Sequence, residues 1–308
     1  MRERFRIRYT ALMERKSFEK SVSTGKEGER IEKLKNLILT NEEYRDHPFA
    51  REEDARAYVF KLEHKGKCLF YFGSAHITCP ADSLYTEIKA RFDEVMPDMV
   101  YIEGAGQVNH DKDAVREGVL KTTLGQARAN GEGNFVLKLG VDVGADFESP
   151  EPELSQEINR LRDKGFSRQD IFSFYMYRDI DQYQRQHKVW TVPGCKKYLE
   201  PYIKNFHRAS GWSAEEMAIL GHRIFSELKI SDNAFYHTRV NPIPWDGEPQ
   251  TATNEISRVS SSFRDRYIFE RIAEGLKTHD RLFVVYGSAH AVKQEPALRA
   301  LMSGLPAS

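Results

Sequence analysis

The sequence predicts an α/β protein: a central, mostly parallel sheet flanked by helices, with two Gly-x-x-His loops at one sheet edge and a helical insertion. Three observations predict it. Short apolar runs that read as buried strands alternate with longer stretches of helical periodicity. The tetrapeptide Gly-Ser-Ala-His occurs twice, at Gly73–His76 and Gly287–His290, each time directly after such a run, Cys68–Phe72 and Leu282–Tyr286. A proline and a helical pattern follow each copy, so each half of the chain holds strand, turn and helix.

Taken in order, residues 1–55 are rich in charges of both signs and form an N-terminal extension. Ile31, Leu34 and Ile38 recur at helical spacing and predict one helix over Glu29–Leu39, on an otherwise solvated arm. A single α/β domain is expected over 56–305. Tyr58–Leu62 and Cys68–Phe72 flank Gly66 and predict a β-hairpin. Leu84, Ile88, Phe92 and Val95 make one apolar stripe, a helix that follows Pro80 and stops before Pro97. Met99–Ile102 is then a short strand delivering Glu103. Strand, helix and strand in succession form a βαβ unit, whose strands run parallel. Asp113–Ala129 reads as one helix, broken at Asn130-Gly131, and Phe135, Val136 and Leu139 mark another that ends near Gly144. Ala145–Phe147 is a brief strand leading into Glu148-Ser-Pro-Glu-Pro152.

The helical insertion spans about 153–250. Helices are expected near Glu153–Asp163 and Ser167–Gln186, the second with an aromatic stripe of Phe172, Phe174, Tyr175 and Tyr177 that reads as core. Lys196–Phe206 and Ala214–Leu228 are further helices. Asp232–Gln250 reads as a long loop of the kind that covers or lines a binding site. Ile256, Val259, Phe263, Ile268, Ile272 and Leu276 outline a long helix feeding the second apolar strand, and Pro296 is expected to open a short terminal helix.

Composition narrows the function classes. The 308 residues are 40% hydrophobic and 30% charged with a formal net charge of +0. Such a balance gives no footing for bulk nucleic-acid or membrane-surface binding. No run of 18 apolar residues occurs, and the charged start Met-Arg-Glu-Arg-Phe-Arg lacks the apolar core of a signal peptide. Cys68, Cys79 and Cys195 are an odd set without Cys-x-x-Cys spacing, which reads as free thiols in a reducing compartment. The expected location is the cytoplasm, and the expected partner a small-molecule or peptide substrate.

The chemistry is expected where the strands end. Ligands of open α/β sheets gather at the carboxyl ends of the strands, so His76 and His290 should face one cleft. Glu103 ends the second strand and Glu148 the third short strand, and both would join them, while Glu151 and Glu153 read only as carboxylates favourable to a helix N-terminus. Two imidazoles with one or two carboxylates suit Mn, Co or Zn with a coordination position left for water. Without a metal, one histidine would act as general base and the other would stabilise developing charge. Arg264-Asp265, preceded by Ser260-Ser-Ser262, and Arg178, set among Tyr175, Tyr177 and Tyr183, are candidates to hold substrate or brace the ligands. Glu148 is a conceivable partner for Arg178. Gly-x-Ser-x-Gly, His-Glu-x-x-His, Gly-x-Gly-x-x-Gly and the phosphate-binding Gly-x-x-x-x-Gly-Lys pattern do not occur.

These pieces resemble a superfamily that groups TraB/PrgY proteins, Tiki metalloproteases, erythromycin esterases and ChaN-type haem-binding proteins. The matching segments are Gly73–His76, Met96–Glu103, the helix start at Gly131-Glu132, the strand ending at Glu148, Arg264-Asp265 and Gly287–His290. They follow the family's order over roughly residues 57–300. The resemblance implies an α/β fold with two Gly-x-x-His loops flanking one cleft. It implies a metal-dependent peptidase by analogy with Tiki-like members, ester hydrolysis through a His and carboxylates by analogy with erythromycin esterases, and haem binding by analogy with ChaN-like members. Carried onto this chain, the site residues are His76, Glu103 and His290, with Glu148. The chain departs from Tiki and ChaN in showing no membrane anchor or export signal, so their substrates do not transfer. The resulting expectation is a metal-dependent hydrolase of a peptide, amide or ester bond. The alternatives are a haem- or small-ligand-binding protein, with a His or Tyr as axial ligand, and a non-catalytic interaction protein of the same fold.

Overall fold

The structure, a computed structural model, describes residues 27–51, 57–74, 82–104, 109, 111–186, 191–227, 233–243 and 249–305. Five strands, β1 (Tyr58–His64), β2 (Lys67–Ser74), β3 (Met99–Ile102), β4 (Asp146–Glu148) and β5 (Arg281–Gly287), form one sheet in the order β1-β2-β5-β3-β4. The β1–β2 hairpin is antiparallel and turns through Lys65 and Gly66, both at positive φ. Every other pairing is parallel. The expected α/β architecture, a mostly parallel sheet flanked by helices, is therefore present.

Both faces of the sheet are covered, which is why its central strands are continuous apolar runs. Leu69, Tyr71, Met99, Tyr101, Leu282, Val284 and Tyr286 face one side, packed on α12 (Ala252–Thr278) and α13 (Ser288–Ser303). Phe70, Phe72, Val100, Ile102, Phe283 and Val285 face the other, against α3 (Asp82–Val95) and α6 (Glu132–Asp142). The insertion is a helical layer with its own core. It comprises α7 (Leu154–Asp163), α8 (Arg168–Gln186), α9 (Val192–Ser210), α10 (Ala214–Glu227) and α11 (Asn233–Val240). The aromatic stripe of α8 is buried there with Phe206, Trp212 and Tyr236.

Four expectations change. The helix expected over Asp113–Ala129 is two, α4 (Lys112–Leu120) and α5 (Leu124–Ala129). Thr123 splits them, because its hydroxyl accepts the Gln126 N–H while the Gln126 side chain returns to the Thr123 N–H. Part of the expected 232–250 loop is helix α11, held by tertiary packing of Tyr236 and by side chains of α12. The terminal helix starts at Ser288, not at Pro296, so Ser288, Ala289 and His290 are its first turn and Pro296 lies inside it. The N-terminal arm is not wholly solvated. Helix α1 (27–35) lays Ile31 and Leu34 on the core, and Asn41, opening α2 (Asn41–Asp46), is buried. His76, Cys79 and Pro80 lie outside the described residues. No helix among the described residues is long and apolar enough to cross a membrane.

Candidate functional site

The parallel strands end at one rim. Ser74 of β2 is in register with Gly287 of β5, and Tyr101 of β3 with Glu148 of β4. The two Gly-Ser-Ala-His copies therefore leave adjacent strands, and they touch. A Cβ on Gly73 would lie 2.7 Å from Ala291 Cβ and 2.9 Å from Ser288 Cα, so the first copy's glycine is the surface on which the second copy's helix rests.

Glu103 follows β3 at the same rim. Its Oε2 accepts the Gly287 N–H at 2.7 Å, placing a carboxylate at the N-terminus of α13, where the helix dipole favours it. His290 is the third residue of that helix. Its Nδ1 lies 2.6 Å from Asp265 Oδ1 on α12, and the Asp265 side chain is only 1% exposed. The other oxygen of Asp265 meets Lys293 Nζ at 2.5 Å, and Gln294 Nε2 donates to Oδ1 at 3.1 Å. Residues 290, 293 and 294 reach Asp265 together because they share one face of α13. Burial opposes ionisation of Asp265, but the Lys293 ammonium and the His290 ring outweigh it and hold the carboxyl well below the usual carboxylate range. An ionised carboxylate at Nδ1 keeps the proton on that nitrogen and leaves Nε2 as the acceptor.

A second network adjoins the first. Arg264, one residue before Asp265, pairs with Glu151, donates to the Tyr286 hydroxyl at 3.2 Å and stands 3.7 Å from Glu103 Oε1. Tyr286 donates to Glu151 Oε1 at 2.5 Å, and its ring meets the His290 ring edge-on at 5.0 Å between centroids. Burial would raise the Glu151 carboxyl, but Arg264 brings it below its ordinary value. Burial pushes the Tyr286 hydroxyl far up, so it remains a donor.

Glu103, Arg264, His290 and Lys293 line one cavity of about 800 Å³, which Arg178 of α8 reaches from the insertion. Glu148 does not line it. Glu148 is held by Arg271 of α12 through two parallel bonds of 2.6 and 2.9 Å, so its partner is Arg271 and not Arg178. The carboxylate paired with Arg264 is Glu151, whose sequence position reads only as a helix N-terminal charge. Its signal was its place between Pro150 and Pro152, which restrict the backbone on both sides. Tyr286, which the sequence marks only as the last residue of an apolar strand, and Lys293, which no sequence pattern marks, also belong to these networks.

Among the described residues no group of three or more His, Cys, Asp or Glu side chains is placed to hold a metal ion. Glu103 has one oxygen on a backbone N–H and the other facing Arg264. These residues do not by themselves fit a Mn, Co or Zn centre, and the expected ion rests on His76. No family model matches the chain, and neither a curated protein nor a solved structure is found to be similar to it.

Proposed function

We propose that this cavity hydrolyses an ester or amide bond, peptide bonds included, with His290 as the general base that takes a proton from water. The observation that carries the reading is the contact between His290 Nδ1 and the buried Asp265 carboxylate. That contact fixes the ring, keeps the proton on Nδ1 and offsets the charge the ring gains when Nε2 accepts a second proton. Water attacks the carbonyl carbon, its proton passes to Nε2, and negative charge develops on the carbonyl oxygen. Arg264 and Arg178 are two of the cations that line the cavity, with Arg45 and Lys293, and would stabilise that charge or hold an anionic group of the substrate. Glu103 acts as a positioning residue, since it fastens the first turn of α13.

The cavity has the volume of a small-molecule or short-peptide site. Its wall combines charged and hydroxyl side chains with an apolar part that includes Phe174, Val240, Pro242 and Ile243, which suits a substrate with both polar and apolar portions; haem binding is the second reading. Cys68 and Cys195 are free and buried, which supports a reducing, cytoplasmic setting as part of the same proposal.

The experiment is a hydrolysis screen with p-nitrophenyl esters, aminoacyl anilides and short peptides. His290→Gln and Asp265→Asn are expected to lower kcat by about 100-fold or more with little change in KM. Full activity in His290→Gln rejects the reading. Chelator treatment settles the role of an ion. Retained activity supports the imidazole as base. Activity lost and then restored by Mn, Co or Zn rejects the imidazole as the group that activates water.

A further inference from the structure

The N-terminal arm reaches the ion pair that orients His290. Lys293, whose side chain is 4% exposed, stands 2.5 Å from Asp265 Oδ2. Its ammonium also donates to Ser261 Oγ at 2.7 Å and to Asn41 Oδ1 at 3.3 Å. Asn41 belongs to the arm, opens α2 and is itself buried. We propose that the arm completes the site and that Asn41 is a positioning residue: it holds the Lys293 ammonium against Asp265, and so keeps Asp265 where it orients the His290 ring. This rests on the reading of His290 given above.

The donors of the ammonium come first. An ammonium carries three N–H groups and no acceptor, and in a buried place each of them needs an oxygen. Asp265, Ser261 and Asn41 supply one oxygen each, so donors and acceptors match. Ser261 Oγ also donates to Asn41 Oδ1 at 3.3 Å. With two donors aimed at it, the Asn41 side chain must present its carbonyl oxygen there and not its amide nitrogen. Without that oxygen one buried N–H is left unpaired, and the ammonium gains by turning away toward water. The Asp265 oxygen that it fixes is then released. A carboxylate is one rigid plane, so movement of Oδ2 also moves Oδ1, the atom that holds His290 Nδ1 at 2.6 Å.

Asn41 is placed by bonds outside this network. The Leu39 N–H donates to the Lys293 carbonyl at 2.9 Å, so the arm grips Lys293 by its backbone as well as by its side chain. Thr40 then caps α2: its hydroxyl accepts the Glu43 N–H at 3.1 Å, and Glu43 Oε2 accepts the Thr40 N–H at 2.7 Å. Ahead of this segment Ile31, Leu34 and Ile38 lie on the core, and just after it Glu42 stands 3.4 Å from Arg258 of α12. The segment is thus fastened on both sides. Asn41, Tyr44 and Arg45 also line the cavity that holds His290, so the arm is a wall of the site as well as a brace.

Two measurements on the full chain test this, one of them independent of activity. In 1H–15N NMR of the histidine rings, the His290 Nδ1–H, bonded at short range to Asp265, is expected far downfield, and its loss in His290→Gln assigns it. Asn41→Leu should shift that signal upfield or lose it to exchange with water. Asn41→Asp keeps an oxygen in the same place and drops the amide nitrogen, so it should keep the signal. A signal unmoved in Asn41→Leu overturns the proposal and leaves the His290 reading standing. The second measurement is hydrolysis well below the melting temperature of each variant. Asn41→Leu should lower kcat about 10-fold with KM within about twofold, and Asn41→Asp should recover most of that loss. A purely structural role would lower the melting temperature alone. Unchanged kcat in Asn41→Leu, or equal losses in the two variants, therefore overturns the proposal. Should Asn41→Leu not fold, Asn41→Ala removes the same oxygen without added bulk, and the same outcomes decide. An undiminished His290→Gln overturns the base reading instead, and the ring signal still decides whether Asn41 sets the ring.

Discussion

Asp265 binds two side chains of one helix turn, His290 Nδ1 at 2.6 Å through one oxygen and the Lys293 ammonium at 2.5 Å through the other. Removing the carboxylate leaves a buried ammonium without its counter-charge. Asp265→Ala is therefore expected to destabilise the protein by about 3–5 kcal/mol, measured by urea unfolding at neutral pH. A loss under 1 kcal/mol would contradict the buried pairing.

The same group sets a pH dependence. The folded pKa of Asp265 is depressed, so its contribution to stability is complete above its unfolded value of about 3.9 and fades as pH falls below that toward the folded value. Asp265→Asn lacks this linkage. The stability gap between wild type and Asp265→Asn should be widest near neutrality and should narrow as pH falls from about 4 to 2. A gap that stays constant over that range would show that Asp265 is not ionised in the native state.

Glu148 and Arg271 form a bidentate pair at the sheet edge, and Arg271 is more than a third exposed. Solvent screens such a pair, so Glu148→Gln should cost about 1 kcal/mol or less. Hydrolysis should stay within about twofold of wild type, because the carboxylate faces Arg271 and not the cavity. A loss of catalysis on the scale of a missing general base would return Glu148 to the site.

Arg264 stands among Glu151, Tyr286 and Glu103. Tyr286→Phe removes one donor while Glu151 keeps the guanidinium, an expected cost of about 1 kcal/mol. Arg264→Met strands two carboxylates and should cost about 3–5 kcal/mol. Adding Glu151→Gln to Arg264→Met should recover part of that loss, and a double-mutant cycle in thermal unfolding reads the coupling. Strict additivity would mean that the pair is not coupled.

Two glycines are expected to respond in opposite senses. Gly73→Ala drives a methyl into Ala291 and Ser288 at the base of α13, for an expected loss of about 1–3 kcal/mol together with reduced turnover through displacement of His290. Gly118 lies in α4 with open space around it, so Gly118→Ala should stabilise by about 0.5–1 kcal/mol. Melting temperatures of the two variants check both.

The legible part of this molecule was the part built from local repetition. Cys68–Phe72 and Leu282–Tyr286 read as strands because both faces of the sheet are covered, which makes apolarity continuous over each run. The α8 stripe read as core because its aromatic residues recur along one helix. Short elements were less legible. Eight residues of α11 are too few to show a helical period, and their helix depends on Asn254 and Ser257 from another element. Pro296 masked the true start of α13, since a proline signals a helix beginning more often than a helix interior.

The sequence by itself determined that strands, helices and their approximate order make an α/β protein, and it singled out His290 and Glu103 as residues at the ends of strands and Arg264-Asp265 as a charged pair on a helix. Only the tertiary structure decided which of them meet. Asp265 reaches His290 across two helices, Arg264 finds Glu151, Glu148 finds Arg271 and not Arg178, and Arg178 arrives at the cavity from the insertion. The reason is physical. Periodicity records which face of an element is buried, whereas the pairing of polar groups is set by how packed elements place their side chains in space, and that is not written in the spacing along any one of them.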